Sequence, residues 1–322
     1  HLESDKKYRI LGFHHHALKL ENHLRPDTKK TLEAFAAGIN AYLAHYRGKL
    51  PKIFNRYQAD PAPWTAADSI ALWTLNAYAF TSGWEGEVTA KRNFEHCPSG
   101  ITPPYLRDET TAIVSEIEFQ ESYPHIYQRL KKIITPPITG LNHTFNLGRQ
   151  TSHNWVISGQ RSKTGKPILE SNPQIPVSFP GLFYEIHLAG GRYDVRGAAI
   201  PGTPGILIGW NKNIAWGMTS LGGDHADLFE ERTHPKNPDL YLHDKEWKPF
   251  DTHTETIRIK DGSPITLIVR HTLHGPVVND LIDNTLPGEI FALKHTLYDP
   301  CRSSLESILL MMRATGWPSF RK

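Results

Sequence analysis

A hydroxyl that opens a short apolar strand is the feature of this chain with the clearest chemical use. Ser152 begins the run Ser152-His153-Asn154-Trp155-Val156-Ile157-Ser158-Gly159, after a polar stretch that ends in Gln150-Thr151. A free serine is a weak nucleophile near neutral pH and needs a base within hydrogen-bond reach. An α-amine, with an unperturbed pKa of about 7.7–8.0, can be that base. Cutting the Thr151–Ser152 bond would put hydroxyl and base on one residue, which is what a self-cleaving amidase requires. Motifs this short recur freely. Taken alone, Ser152 reads as an ordinary strand-start serine, so its context has to decide.

The elements that must position such a serine change character along the chain. Residues 27–46 carry Leu32, Phe35, Ala36, Ile39, Tyr42 and Leu43 at helical spacing, with Pro26 and Asp27 as a start and Gly48 as a stop. A second helix begins after Thr65, where Asp68 completes a capping box, and runs through Ile70, Leu72, Trp73 and Leu75. Residues 1–130 thus read as mainly helical. Pro, Gly, Asn and Thr crowd residues 136–150 without a sustained period, so 131–151 reads as a spacer. From 152 to 322 the pattern turns to short β-branched and aromatic runs between Gly, Pro and Asn turns. Strands are expected at 155–158, 168–170, 183–188, 193–199, 206–210, 214–219, 228–232, 254–259 and 265–269, with a closing helix over 303–315. Pattern alone gives an α+β fold.

Composition narrows the class. The 322 residues are 39% hydrophobic and 21% charged, enough to bury a core, and the 36 basic and 33 acidic residues leave a formal net charge of +3. No basic block interleaved with aromatics points to nucleic acid, and no apolar run reaches membrane-spanning length. Cys97 and Cys301 are neither motif-spaced nor numerous enough for a disulfide framework and read as structural thiols. His14-His15-His16 reads as a solvated helix face.

Seven collinear segments resemble the penicillin acylase family of N-terminal-nucleophile hydrolases: Ser152-His153-Asn154-Trp155-Val156; Gly165-Lys166-Pro167-Ile168-Leu169 with Asn172-Pro173-Gln174; Tyr184-Glu185-Ile186-His187-Leu188; Gly197 through Gly209 with the turn Pro201-Gly202-Thr203-Pro204-Gly205; Asn211 through Thr219 leading into Gly223-Asp224-His225-Ala226-Asp227; His274-Gly275-Pro276-Val277-Val278; and Ala292-Leu293-Lys294-His295. In the first half, Phe35-Ala36-Ala37-Gly38-Ile39-Asn40-Ala41-Tyr42 and Pro63-Trp64-Thr65-Ala66-Ala67-Asp68-Ser69 look like the family's helical α-chain. The resemblance implies a four-layer αββα sandwich. It also implies a precursor that cuts itself into two chains at Ser152 and then hydrolyses the linear amide of a small N-acylated substrate.

The same resemblance assigns further roles. The backbone N–H of Ser220 would stabilise the oxyanion, a term often large in amide hydrolysis. A second donor, an Asn side chain, falls downstream of Lys322 in the family, so the chain reads as a fragment of a larger precursor. The Gln174 carbonyl would receive the substrate N–H, and Ile175 and Phe179 would line an apolar acyl pocket. Asp224, the Ala226 carbonyl and Asp227, completed by Glu87 or alternatively Glu85, resemble a structural calcium site built of hard oxygen donors. His153 follows the nucleophile along a strand and faces the other way, so it is not its base. His187 and His274 are expected to be structural. Export to the periplasm is a family expectation.

Two departures stand out. Thr151 replaces the usual Gly or Ala before the nucleophile, and its β-branch would slow self-cleavage; His153 stands where Asn is common. An acyl-homoserine lactone acylase of the same family is the competing enzyme reading. A catalytically inactive relic or binding module is the competing class.

Overall fold

The computed structural model describes residues 2–57, 60–81, 84, 87–88, 91, 152–175, 178–179, 181–220, 225–282, 285, 287–299 and 303–321. Asp224, Glu85, Cys97, Cys301 and the whole of the expected spacer, residues 131–151, lie outside them. The chain forms two compact units of mixed helix and antiparallel sheet, each drawn from separated stretches of sequence: 12–80 with 152–220 and 297–321, and 2–11 with the described positions of 81–91 and 225–296. Helix α1 (Leu2–Leu11) opens the second unit and α2 (Phe13–Glu21) the first, with Gly12 between them at φ 67°. That left-handed conformation suits glycine and ends α1.

In the first unit α2 packs with α3 (Pro26–His45) and α5 (Ala66–Ala79), while α4 (Lys52–Tyr57) is short and exposed. Pro26 sits in the first turn of α3, where its missing N–H costs nothing. Thr65 closes the expected capping box: its Oγ1 accepts from Asp68 N–H at 3.3 Å, and Asp68 Oδ2 accepts from Thr65 N–H at 2.7 Å. Ala17, Leu20, Leu32, Ala66, Ala67, Ile70 and Leu305 form one buried cluster. Each fully buried Leu or Ile there contributes about 1.5–3 kcal/mol.

The histidine tract departs from the expected solvated face. His14 is exposed and His15 half-buried, but His16 is only 8% exposed, and its Nε2 is buried without a hydrogen-bond partner. Phe13, His16, Ala17 and Leu20 recur at helical spacing on the core-facing stripe of α2, so the backbone period overrides side-chain polarity.

After β1 (Ser152–Ile157) and β2 (Ile168–Pro173), which among the described residues pair only with each other, comes a four-stranded meander of β3 (Tyr184–Gly190), β4 (Tyr193–Ala199), β5 (Ile206–Asn211) and β6 (Ala215–Trp216). β6 is shorter than the expected 214–219 strand. One face of the meander packs on the second half of a buried cluster: Val195, Ile206 and Trp216 meet Ile308, Leu309 and Met312. Ile308 and Leu309 belong to the closing helix, Ser304–Met311, which ends earlier than the pattern suggested. Asn211 joins these parts. Its Oδ1 accepts from Asn213 and Ile214 N–H, and its Nδ2 donates to the Met312 and Ala314 carbonyls at 3.1 and 2.9 Å.

In the second unit, β7 (Ala226–Glu231) pairs with a late strand, Ile290–His295. β8 (Thr233–His234), β9 (Asn237–His243) and β10 (Glu246–Pro249) form a second sheet, and β11 (Asp251–Ile257) with β12 (Ile265–His271) a hairpin. Ile290–His295 is β13, the closing helix α6, and Trp317–Phe320 α7. Arg9 of α1 meets Glu255 of β11 at 2.5 Å. Gly275 is required by its surroundings: at φ 149°, a Cβ on it would fall 2.0 Å from the Leu293 carbonyl oxygen.

Candidate active site

Ser152 is the first residue of β1 and is half-buried. Its register partner on β2 is Pro173, which delivers Gln174 to the next position. Ile175 N–H then donates to the Pro173 carbonyl at 3.1 Å, turning the chain immediately beyond the strand pair. Ile175 is half-buried, whereas Phe179 is fully exposed. The hairpin thus carries Ser152 and Gln174 at one end. Two antiparallel strands whose ends coincide place those residues side by side without any long-range packing.

Strand alternation sorts the two faces of this ribbon. Ser152, Asn154, Ser171 and Pro173 share one face; His153, Trp155, Glu170 and Asn172 share the other. His153 thus lies on the face opposite Ser152, with its ring centroid 5.9 Å from that of Trp155. Trp155, Ile157 and Ile168 are exposed on this second face.

Ser220 lies four residues beyond β6, and its Oγ donates to the Phe80 carbonyl at 3.4 Å, a long and weak bond. The chain leading to it passes close to the ribbon at Gly217, where a Cβ would stand 2.7 Å from Ser171 Cβ. Asn154 reaches the same segment. Its side-chain oxygen, oriented to match its neighbours, accepts from Met218 N–H at 3.1 Å. This contact is absent from the expectations drawn from sequence. The available signal was that position 154 follows Ser152 by two and therefore faces the same way.

Both histidines expected to be structural have carboxylate partners. His187 Nε2 lies 3.0 Å from Asp194 Oδ1, and Lys212 Nζ 3.1 Å from the other oxygen. These two hydrogen bonds, that of His187 first, hold the Asp194 carboxyl below its ordinary range. His274 Nδ1 lies 2.8 Å from Glu231 Oε1, and its ring stacks on Phe229 at 3.9 Å between centroids. His274 and Glu231 belong to the second unit and Ser152 to the first, while His187 and Asp194 sit on an exposed sheet face.

Of the residues expected to hold calcium, Glu87, Ala226 and Asp227 are described, and all belong to the second unit. Glu87 comes against β7: its Oε2 accepts from Leu228 N–H at 2.9 Å, one residue past Asp227. Ala226 is buried and Asp227 exposed, with Lys294 opposite Asp227 on β13. Two carboxylates and a strand-end carbonyl are a hard-oxygen donor set of the type calcium takes.

The family model described as Penicillin amidase matches residues 1–322. The chain belongs to the penicillin amidase family. Among similar members, acyl-homoserine lactone acylase QuiP of Pseudomonas syringae pv. tomato is 32% identical over 91% of this chain and 36% of its own length. Penicillin G acylase of Escherichia coli is 37% identical over 40% of this chain and 15% of its own. A solved thermostable penicillin G acylase from Alcaligenes faecalis is 26% identical and covers 52% of this chain and 30% of its own, with a TM-score of 0.47. The chain spans about a third of the length of the QuiP acylases it matches, 36% for the first of them. No described helix is long and apolar enough to cross a membrane.

Proposed function

We propose that this chain carries the nucleophile of an N-acyl amide hydrolase, and that the nucleophile is Ser152. The observation that carries the reading is the register Ser152↔Pro173, which sets Gln174 beside the first residue of β1 in a chain matched throughout by the penicillin amidase family. Cleavage of Thr151–Ser152 frees the Ser152 amine. That amine takes the proton of its own Oγ, and Oγ attacks the substrate carbonyl. The negative charge on the carbonyl oxygen is met by Ser220 N–H. Gln174 receives the substrate N–H on its backbone carbonyl, and Ile175 and Phe179 receive the acyl group. The protonated amine then gives its proton to the departing nitrogen, leaving an acyl ester on Ser152. Water, deprotonated by the same amine, hydrolyses that ester.

The chain would take part in the four-layer αββα sandwich, with α- and β-chains held together after cleavage. Calcium held by Glu87, Asp224, the Ala226 carbonyl and Asp227 would contribute charge neutralisation between the α-chain carboxylate and the strand, a structural role. The periplasm is the proposed location. For the substrate, an acyl-homoserine lactone is favoured over a penicillin by the 91% of the chain that aligns with QuiP, against 40% with the penicillin G acylase.

The test is the mature protein's N-terminus together with turnover. A chain starting Ser-His-Asn and hydrolysis of N-acyl-homoserine lactones are expected, both abolished in Ser152→Ala. A single uncut chain that still hydrolyses the amide would refute the nucleophile, and an uncut chain without turnover would favour a relic.

A further inference from the structure

Asn154 follows Ser152 by two residues and faces the same side of the ribbon, opposite Ser171. With its amide oriented to match its neighbours, its nitrogen donates to Ser171 Oγ at 2.6 Å and to the His153 carbonyl at 3.1 Å, while its oxygen accepts from Met218 N–H. Gly217 sits directly against this group: a Cβ there would meet Ser171 Oγ at 2.7 Å and the Asn154 side-chain amide at 2.8 Å. Separations below 3.0 Å are not tolerated by real Cβ atoms, so the missing side chain is what lets the 217–218 backbone lie on the ribbon. From Met218 the chain needs only two more residues to reach Ser220.

We propose that Asn154 is a positioning residue for acyl transfer. Through Met218 it fixes the spacing between the Ser152 hydroxyl and the Ser220 N–H. It touches no reacting atom. The inference rests on the reading of Ser152 as nucleophile and Ser220 as oxyanion donor. Its physical basis is that β1 and the 217–220 segment belong to different sheets, with β1 paired to β2 and β6 to β5. Among the described residues no backbone ladder sets their separation, and the Asn154 amide bridges them. A displacement of about 1 Å in such geometry can cost about 100-fold in rate, and losing one oxyanion donor about 100- to 1,000-fold.

The experiment compares the full natural protein with Asn154→Ala and Asn154→Asp, the latter retaining an acceptor for Met218 N–H. Steady-state kinetics on an N-acyl-homoserine lactone and hydrogen exchange at Met218 N–H are measured on the same folded, processed samples. In Asn154→Ala, kcat is expected to fall about 10- to 100-fold with KM changed less than about threefold. Exchange at Met218 should accelerate, while amides of β4 and α6 keep their protection. Asn154→Asp should recover slow exchange at Met218. An Asn154→Ala protein with unchanged kcat, or with a kcat loss but unchanged Met218 exchange, overturns the proposal. If the unmodified protein turns over no substrate, the nucleophile reading has failed. Exchange alone then decides the bridge: faster exchange in Asn154→Ala supports it, and unchanged exchange removes it.

Discussion

The buried imidazole of His16 makes the first unit sensitive to acid. Burial, and then the nearby charges of Lys19 and His15, lower its pKa from 6.5 to about 4, against a smaller opposing effect of Asp299. The sign follows from linkage. Between those two values the unfolded chain binds the proton and the folded chain does not, so stability is lost as pH falls from about 6.5 toward 4 and is fully present above 6.5. At about pH 5 the two-pKa expression gives a loss of about 2 kcal/mol relative to neutral pH, and solvent relaxation around a ring at the edge of the core reduces this to about 1 kcal/mol. Replacing His16 by Leu keeps the volume and removes both the titration and the orphaned Nε2. The assay is urea unfolding at about pH 7 and 5, read from near-UV signals of the first unit. The wild type should lose about 1 kcal/mol more than His16→Leu between the two pH values. Equal losses, or a larger loss in the variant, would refute the reasoning.

Two further outcomes are expected from the packing. Asn211→Ala removes four hydrogen bonds, two within the β5–β6 turn and two that join it to the segment just after α6, and should lower stability by about 2–3 kcal/mol with an unchanged denaturant m-value. Gly275→Ala drives a methyl group into the Leu293 carbonyl and should destabilise the second unit by about 3 kcal/mol; thermal unfolding of the variant checks this.

The elements that the sequence announces are those encoded by local chemistry. The α5 start is legible because Thr65 and Asp68 are both donors and acceptors at the right spacing, and they cap it as expected. α3 follows from simple periodicity; the expected strand at 155–158 overlaps β1 and that at 168–170 lies within β2, but the pairing of the two has no such signal. The β9–β10 hairpin was not legible. Its two-residue turn holds Asp244 and Lys245 at φ 48° and 67°, a conformation normally announced by Asn-Gly or Asp-Gly. β13 was hidden because Ala292-Leu293-Lys294-His295 stood out as a motif and not as an alternating run, being buried at Ala292, Leu293 and His295. At the candidate site, Ser152 and Gln174 could be read from the resemblance. Asn154 could not, because its role depends on Gly217 and Met218 approaching from a different sheet, a juxtaposition with no local signature. Glu231 opposite His274 escaped notice for a like reason, coming from a strand 43 positions earlier, whereas Asp194 meets His187 diagonally across the β3–β4 hairpin, a pairing that depends on the exact register.

The threaded make-up of the first unit bears on how the protein is born. Its meander is covered by a helix that begins at Ser304, and the Arg313 guanidinium clasps Asp27, 286 positions earlier. During synthesis at about 5–20 residues/s, the ribosome needs about 8–30 s after making Ser152 before that helix exists. Contacts so distant along the chain also close slowly. If Thr151–Ser152 is the bond cut, as proposed above, a cut that needs the finished first unit would follow only once residues 304–311 have been made.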